Sequence, residues 1–362
     1  MANTRDSIDI TSRGTGLGSL QDAYTDMFYG FNHGLLGNPV PYNTENQGLT
    51  FFVRPRLNLT YDNLAVMREM MPLAVEDPTT IQAAIRGYLD PVQELQRAYQ
   101  GSKSEFMDHE SAFIPLLSNS LISLNGWPDL TVGTHTSKQG NYHETWSMVD
   151  DFPSSMYSDF ELTANFRNIK GDPITQMFFH WVLYQSMVYT GRMMPYPDMV
   201  VNNEIDYVSR IYRVTLDETK RYVQKIAACG YCFPLSAPIG ASVDFSNDTP
   251  MNLNTANQIS VPFKCTGFMW NDPLLVYMFN RTVATFHRNM QVDRLHSGSS
   301  LMVKLSLAER DLLRSRGYPR IDPRTFEMEW YAYRADYDAI INEKLPETID
   351  TPKLGLTEGA NP

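Results

Sequence analysis

The sequence predicts an α+β protein: an antiparallel β-barrel or sandwich with one packed helix at its centre, and helical additions on its N- and C-terminal sides. Three observations predict it. Phe160-Glu-Leu-Thr-Ala-Asn-Phe-Arg167 alternates, with Phe160, Leu162, Ala164 and Phe166 on one face and Glu161, Thr163, Asn165 and Arg167 on the other, the period of a half-buried strand. Directly after it Ile174, Met177, Phe178, Trp181, Tyr184 and Val188 recur at helical spacing, and a stripe that apolar needs a sheet to lie on. Two further alternating runs follow, with Tyr212, Val214 and Leu216 on one face of the first and Ile259, Val261, Phe263 and Cys265 on one face of the second.

Taken in order, residues 1–18 carry Thr, Ser, Arg, Asp and closely spaced Gly without apolar periodicity, which predicts a flexible arm. Residues 19–105 predict a mixed, largely helical assembly region. Tyr24, Phe28, Tyr29 and Phe31, broken by Gly30 and Gly34, suggest a short helix and a covering loop. Residues 48–59 read as a strand interrupted at Pro55. Arg54 and Arg56 flank the break and could clamp a carboxylate or phosphate, but an edge strand with a solvated end explains them more simply. Residues 61–71 predict a short helix stopped by Pro72. Asp77-Pro78 opens another, with Ile81, Ala84, Ile85, Tyr88 and Leu89 on one stripe; Pro91 restarts it and Gly101 ends it.

Residues 106–270 hold the central β domain. Gly126-Trp-Pro128 marks a turn, and residues 130–148 read as extended, with Tyr142, Glu144 and Trp146 on one face, feeding antiparallel into the strand at Phe160. Asp172 is placed to cap the helix and Pro173 suits its first turn. Asp217-Glu-Thr-Lys220 reads as a hairpin loop with residues 221–228 returning. Pro234 and Pro238 limit pairing, residues 241–245 suggest a short strand, and residues 246–258 a polar loop. Pro262, inside the last strand, predicts an edge or a bulge there. Residues 271–345 predict a helical region: one helix from Asp272-Pro273, one over 306–316, and an aromatic-rich one over 326–341 with Trp330, Tyr331, Tyr333 and Tyr337. Residues 346–362 read as a flexible tail.

At 362 residues the chain can hold two or three domains with sizeable cores. Its 12% aromatic content and 19 Met suit broad packing surfaces or subunit contacts. A net charge of −11 argues against a protein that grips nucleic acid by neutralising phosphates, though not against one that DNA merely passes. Acidic surfaces also simply keep proteins soluble. The first 20 residues lack an apolar h-region, and no apolar run approaches the roughly 20 residues that span a bilayer, so synthesis in a cytoplasm and no membrane insertion are expected.

One stretch invites a chemical reading, Cys229-Gly-Tyr-Cys232. A redox pair needs its first Cys at a helix N-terminus, and Phe233-Pro234 prevents a helix there. A zinc site needs four ligands, and only Cys265 remains. In a regular strand, residues three apart also face opposite sides, so buried packing cysteines are expected. His109, His135 and His143 lie near Asp108, Glu110 and Glu144 without the spacing of a ligand motif. No P-loop, G-x-S-x-G or H-E-x-x-H is present. No catalytic, cofactor-binding or metal-binding residue is therefore expected, and no cofactor.

The order of strand, helix, hairpin, Pro-containing connection, short strand, polar loop and last strand is carried by Ile211-Tyr-Arg-Val-Thr-Leu216, Tyr222-Val-Gln-Lys-Ile-Ala-Ala-Cys-Gly230, the turn from Pro234 to Pro238, and Ile259-Ser-Val-Pro-Phe-Lys-Cys265. It resembles the tail-tube domain of contractile-tailed bacteriophages, shared by the tube subunit and the baseplate proteins that initiate the tube. The resemblance covers the central domain. It implies a structural virion protein, not an enzyme: part of the tail tube or of the tube-initiating hub, a ring, hexameric by resemblance, through which DNA passes as cargo. Its partners would be itself and other tail or baseplate proteins, and it would assemble in the host cytoplasm. On that reading Glu161, Asn165 and Arg167 are candidates for a polar, lumen-facing strand surface, and the helix carrying Met177, Phe178 and Trp181 packs outside it. Two other readings stay open: a different virion part such as a wedge, neck or capsid-associated protein, and a cytoplasmic thiol-redox enzyme using Cys229 and Cys232.

Overall fold

The computed structural model describes residues 47–150, 158–240, 258–296, 300–306, 309 and 317–344. The expectations for residues 1–46, 241–257, most of 306–316 and 346–362 lie outside them. Nearly all the described residues belong to one body, Gly48–Leu216 with Arg221–Pro362; Gln47 and the turn Asp217–Lys220 cluster apart from it.

β1 (Gln47–Phe52) is followed by α1 (Tyr61–Leu64) and a 3-10 segment, Arg68–Ala74, that contains Pro72. The helix expected over 61–71 is thus two pieces, because Met67 between them is extended (φ −138°, ψ 126°). α2 (Ile81–Leu89) is capped by Thr80, whose hydroxyl accepts the Ala83 N–H, while Asp77 closes the preceding turn on Thr79. α3 (Pro91–Tyr99) starts on the Asp90 carboxylate and ends before Gly101 (φ 74°). α4 (Pro115–Ser120) leads into β2 (Leu121–Asn125). β3 (Thr134–Thr136) and β4 (Ser147–Val149) pair only with each other, and every residue in them is exposed. Residues 130–148 therefore do not feed the main sheet. Leu121 and Leu124 of β2 pack on a core, so β2 takes that place beside β5 (Asp159–Arg167).

α5 (Pro173–Tyr189) begins at Pro173 as expected, but Asp172 is left-handed (φ 48°) and caps nothing; its carboxylate accepts from Asn168 instead. α6 (Pro197–Val201), β6 (Ile211–Leu216), β7 (Val223–Pro234) and β8 (Gln258–Trp270) follow, then α7 (Pro273–Phe286), capped by Asp272, and α8 (Val292–Leu295). β9 (Met302–Lys304), β10 (Tyr318–Ile321) and β11 (Met328–Tyr333) form a small sheet, and α9 (Arg334–Lys344) closes the described chain. The aromatic segment expected to be helical from 326 is a strand up to Tyr333. Trp330 and Tyr331 find cross-strand partners in Pro319 and Tyr318, the contacts that favour aromatics in strands.

The main sheet runs β1-β6-β7-β8-β5-β2. Neighbouring residues of one strand feed two cores on opposite faces. Phe52, Ile211 and Cys229 enter the first core, with α2 and α5; Phe51, Tyr212 and Ala228 enter the second, with α7 and the small sheet. β8 is central, not an edge, despite Pro262. Leu235 donates its N–H to the Pro262 carbonyl, so the missing Pro262 donor would have faced Leu235, just beyond the end of β7. A proline is tolerated there because only one terminal ladder bond is lost.

Candidate functional site

Over β5, β8 and β2 one face is covered and the other is open. On the covered face Leu162, Ala164 and Phe166 are fully buried beneath α5, where Phe178 and Trp181 stack (centroids 6.1 Å) and Phe178 meets Phe166 at 5.7 Å and Phe263 at 5.6 Å. The Trp181 indole N–H donates to the Tyr207 carbonyl at 2.9 Å, and Met177 is buried beside them. These are the expected packing-helix residues.

The open face carries Glu161, Thr163, Asn165 and Arg167 from β5 and, paired opposite them on β8, Lys264, Pro262, Ser260 and Gln258. Asn165 donates to the Ser123 hydroxyl on β2 at 2.8 Å, extending the strip across three strands. Lys264 bridges Asp159 (2.6 Å) and Glu161 (3.4 Å), and this hydrogen-bonded ammonium holds the Asp159 carboxyl below its usual range. Two carboxylates thus meet two cations, Lys264 and Arg167, among uncharged hydroxyl and amide groups. The strip is polar and near neutral rather than acidic.

The cysteines depart most from expectation. Between Ser209↔Cys232 and Tyr212↔Ala228 the chain takes three steps on one strand and four on β7, a β-bulge that puts Cys229 and Cys232 on the same face. Gly230 sits in the bulge, where a Cβ would come within 2.8 Å of the Thr266 carbonyl oxygen, and Gly267 opposite is left-handed (φ 71°). Cys229, Cys232 and Cys265 converge in the first core, all fully buried. Burial pushes the Cys232 thiol up, and contact with Cys229 raises Cys265. A thiol with no exposed surface cannot meet a substrate disulfide, which argues against the thiol-redox reading.

Arg54 is not at a solvated end. Its buried guanidinium donates to the carbonyls of Gly87 (2.5 Å), His109 (2.9 Å) and Ser111 (3.0 Å), and burial lowers its pKa to about 10. His135 and His143 are exposed. His109 lies 3.9 Å from Asp108, and Glu110 meets a residue that spacing did not suggest. His287, fully buried, accepts the Asn289 N–H on Nδ1 (3.2 Å) and points Nε2 at Glu110 (3.6 Å), while Tyr333 donates to Glu110 (2.7 Å) and Tyr318 to Asp108 (2.5 Å). Burial holds the His287 imidazole below its usual pKa. Only the tertiary fold brings position 287 to 110, so no local signal could have found it.

Residues 3–345 match the family described as "Putative phage tail tube protein". The chain belongs to that family. The match spans far more than the central domain that carried the resemblance, and it makes the chain a structural component of a phage tail. Three solved structures are similar to part of the chain at 10% identity. They are the anti-feeding prophage cap (AFP tube terminating cap; TM-score 0.25, 44% of this chain and 82% of that one), the sheath/tube terminator of the extracellular contractile injection system PVC in its extended state (0.24; 44% and 87%), and the anti-feeding prophage baseplate, 6-fold symmetrised (0.22; 42% and 78%). Among curated protein sequences none matches. No described helix is long and apolar enough to cross a membrane.

Proposed function

We propose that the chain forms a ring of the phage tail tube, or of the baseplate hub that initiates it, through which DNA passes. The observation that carries this reading is the asymmetry of the sheet over β5, β8 and β2: one face sealed by α5, the other left as a polar strip. Glu161, Asn165 and Arg167 then face the channel, with Met177, Phe178 and Trp181 behind the wall. A near-neutral strip rich in Ser, Thr, Asn and Gln supports free passage of DNA, because it offers phosphates neither a run of cations nor strong repulsion. The β3–β4 hairpin and its flanks expose Leu130, Val132, Tyr142, Trp146, Met148 and Val149, an apolar surface suited to a neighbouring subunit or another tail or baseplate protein. The ring is hexameric, as the family resemblance implies, the chain works without catalysis, and it assembles in the host cytoplasm. The domain limits, 1–18, 19–105, 106–270, 271–345 and 346–362, follow the same reading: a ring-forming centre with contacts to neighbours on both sides.

The test is the native mass of the purified protein with negative-stain images at high concentration, alone and with its tail partners. Six-fold rings with a central hole are expected. A species that stays monomeric in both conditions, or assembles without a channel, overturns the proposal and favours a wedge, neck or capsid-associated role.

A further inference from the structure

All the cysteines of the chain, three in number, meet at one point. Their sulfur atoms lie within 4.8 Å of one another, and each side chain is 0% exposed. A triangle of that size contains a point no more than about 2.8 Å from each corner, within side-chain adjustment of a metal–sulfur bond of ~2.3 Å. Cys232 and Cys265 are directly opposite, and the Cys232 N–H and C=O are both spent on Ser209, so the pair towards β8 is the non-hydrogen-bonded kind in which strands approach closest. Cys229 adds a different device: its Sγ accepts the Ile211 N–H at 3.3 Å, which fixes the sulfur beside the other two. No His, Asp or Glu joins the cluster among the described residues.

We propose that Cys229, Cys232 and Cys265 form a closed, sulfur-only site for one soft, low-coordinate cation of the Cu(I) class, loaded as the chain folds and clasping β7 to β8. Sulfur donors select soft ions, whereas zinc would need a fourth ligand that the cluster lacks. Full burial leaves no open coordination position, so the role is structural. Each metal–sulfur bond forms as a thiol gives its proton to solvent, and no electron is transferred; binding therefore tightens as pH rises.

The reduced protein, refolded anaerobically with Cu(I) held by a competing chelator, tests this. Copper per chain is measured after desalting, together with X-ray absorption and the thermal midpoint, for the wild type, Cys229→Ser and Cys265→Ser. One copper per chain, a shell of three sulfurs and a raised midpoint are expected, with affinity in each folded variant down by about tenfold or more. A serine in this core can prevent folding, so circular dichroism screens the variants and the wild-type absorption result stands independently. No retained copper, an oxygen-containing or four-coordinate shell, equal retention of Zn(II), unchanged affinity in folded Cys265→Ser, or a Cys232–Cys265 disulfide in the purified protein would each overturn the site and leave three packing thiols.

Discussion

Asp90 allows a quantitative test of the packing behind the strip. It is fully buried and holds three elements: its carboxylate accepts the Leu59 N–H (2.9 Å), the Gln93 N–H at the start of α3 (3.0 Å), and the Tyr196 hydroxyl (2.8 and 2.9 Å). Burial outweighs these bonds and raises its pKa from 3.8 to about 6. A carboxyl whose folded pKa exceeds its unfolded one takes its proton first in the folded state. Its stabilising contribution is therefore full below about pH 3.8 and lost as pH rises through about 6. At about 1.4 kcal/mol per unit the swing is roughly 3 kcal/mol.

Asp90→Asn removes that swing. The amide keeps one acceptor oxygen and can donate to Tyr196, but it leaves one backbone N–H without a partner, a cost of about 1–3 kcal/mol. Relief from burying a charge offsets this near neutrality. The variant is therefore expected within about 2 kcal/mol of wild type at pH 7 and to fall behind by roughly 2.4 kcal/mol more at pH 4. Urea unfolding of both proteins at pH 7, 6, 5 and 4 gives the difference directly, since every other titrating group cancels. A difference that stays flat across this range, or narrows towards acid, would refute the argument.

Three further outcomes follow from the same geometry. Trp181→Ala opens a cavity between α5 and the sheet and loses the Tyr207 bond, so thermal unfolding should show a loss of about 3–5 kcal/mol. Gly126→Ala places a Cβ against the Glu161 carbonyl oxygen at φ 107°; roughly 2 kcal/mol or more should be lost, seen as a lower urea midpoint with an unchanged slope. His287 has a depressed pKa in the fold, so its stabilising contribution is present above its ordinary 6.5 and lost as pH falls below it. His287→Gln should accordingly lose less stability than wild type between pH 7 and 5, measured by denaturant titration.

Period-two alternation exposed β5, β6 from Tyr212 onward and most of β8, and the stripe of Ile174, Met177, Phe178 and Trp181 exposed α5, because along these stretches one face only is buried. Glu161, Asn165 and Arg167 were legible for the same reason: an exposed residue between buried ones declares its face. Elements buried on both sides were not. β11 buries Met328, Glu329, Tyr331 and Ala332, so its pattern has no clean period and its aromatics read as a helix stripe. β3 and β4 failed in the opposite way, since a hairpin with no buried face carries no signal of where it docks. The convergence of the cysteines was hidden by the bulge, which breaks the rule that residues three apart point apart.

That bulge also marks where the sheet changes cores. β7 and β8 span 12 and 13 residues, long enough to run under both cores. Along β8 the buried positions are odd from Ile259 to Cys265, and beyond Gly267 the next residue packed on the second core is Met269. Along β7 they are Ile226 and Ala228 in the second core, then Cys229 and Cys232 in the first. The strands thus hand their apolar side from one core to the other at Gly230 and Gly267. If those positions carried side chains the close approach to Thr266 would be lost, and a straight pleat would keep one parity throughout. The two glycines thus let a single sheet bury one face under α5 at one end and the opposite face under α7 at the other.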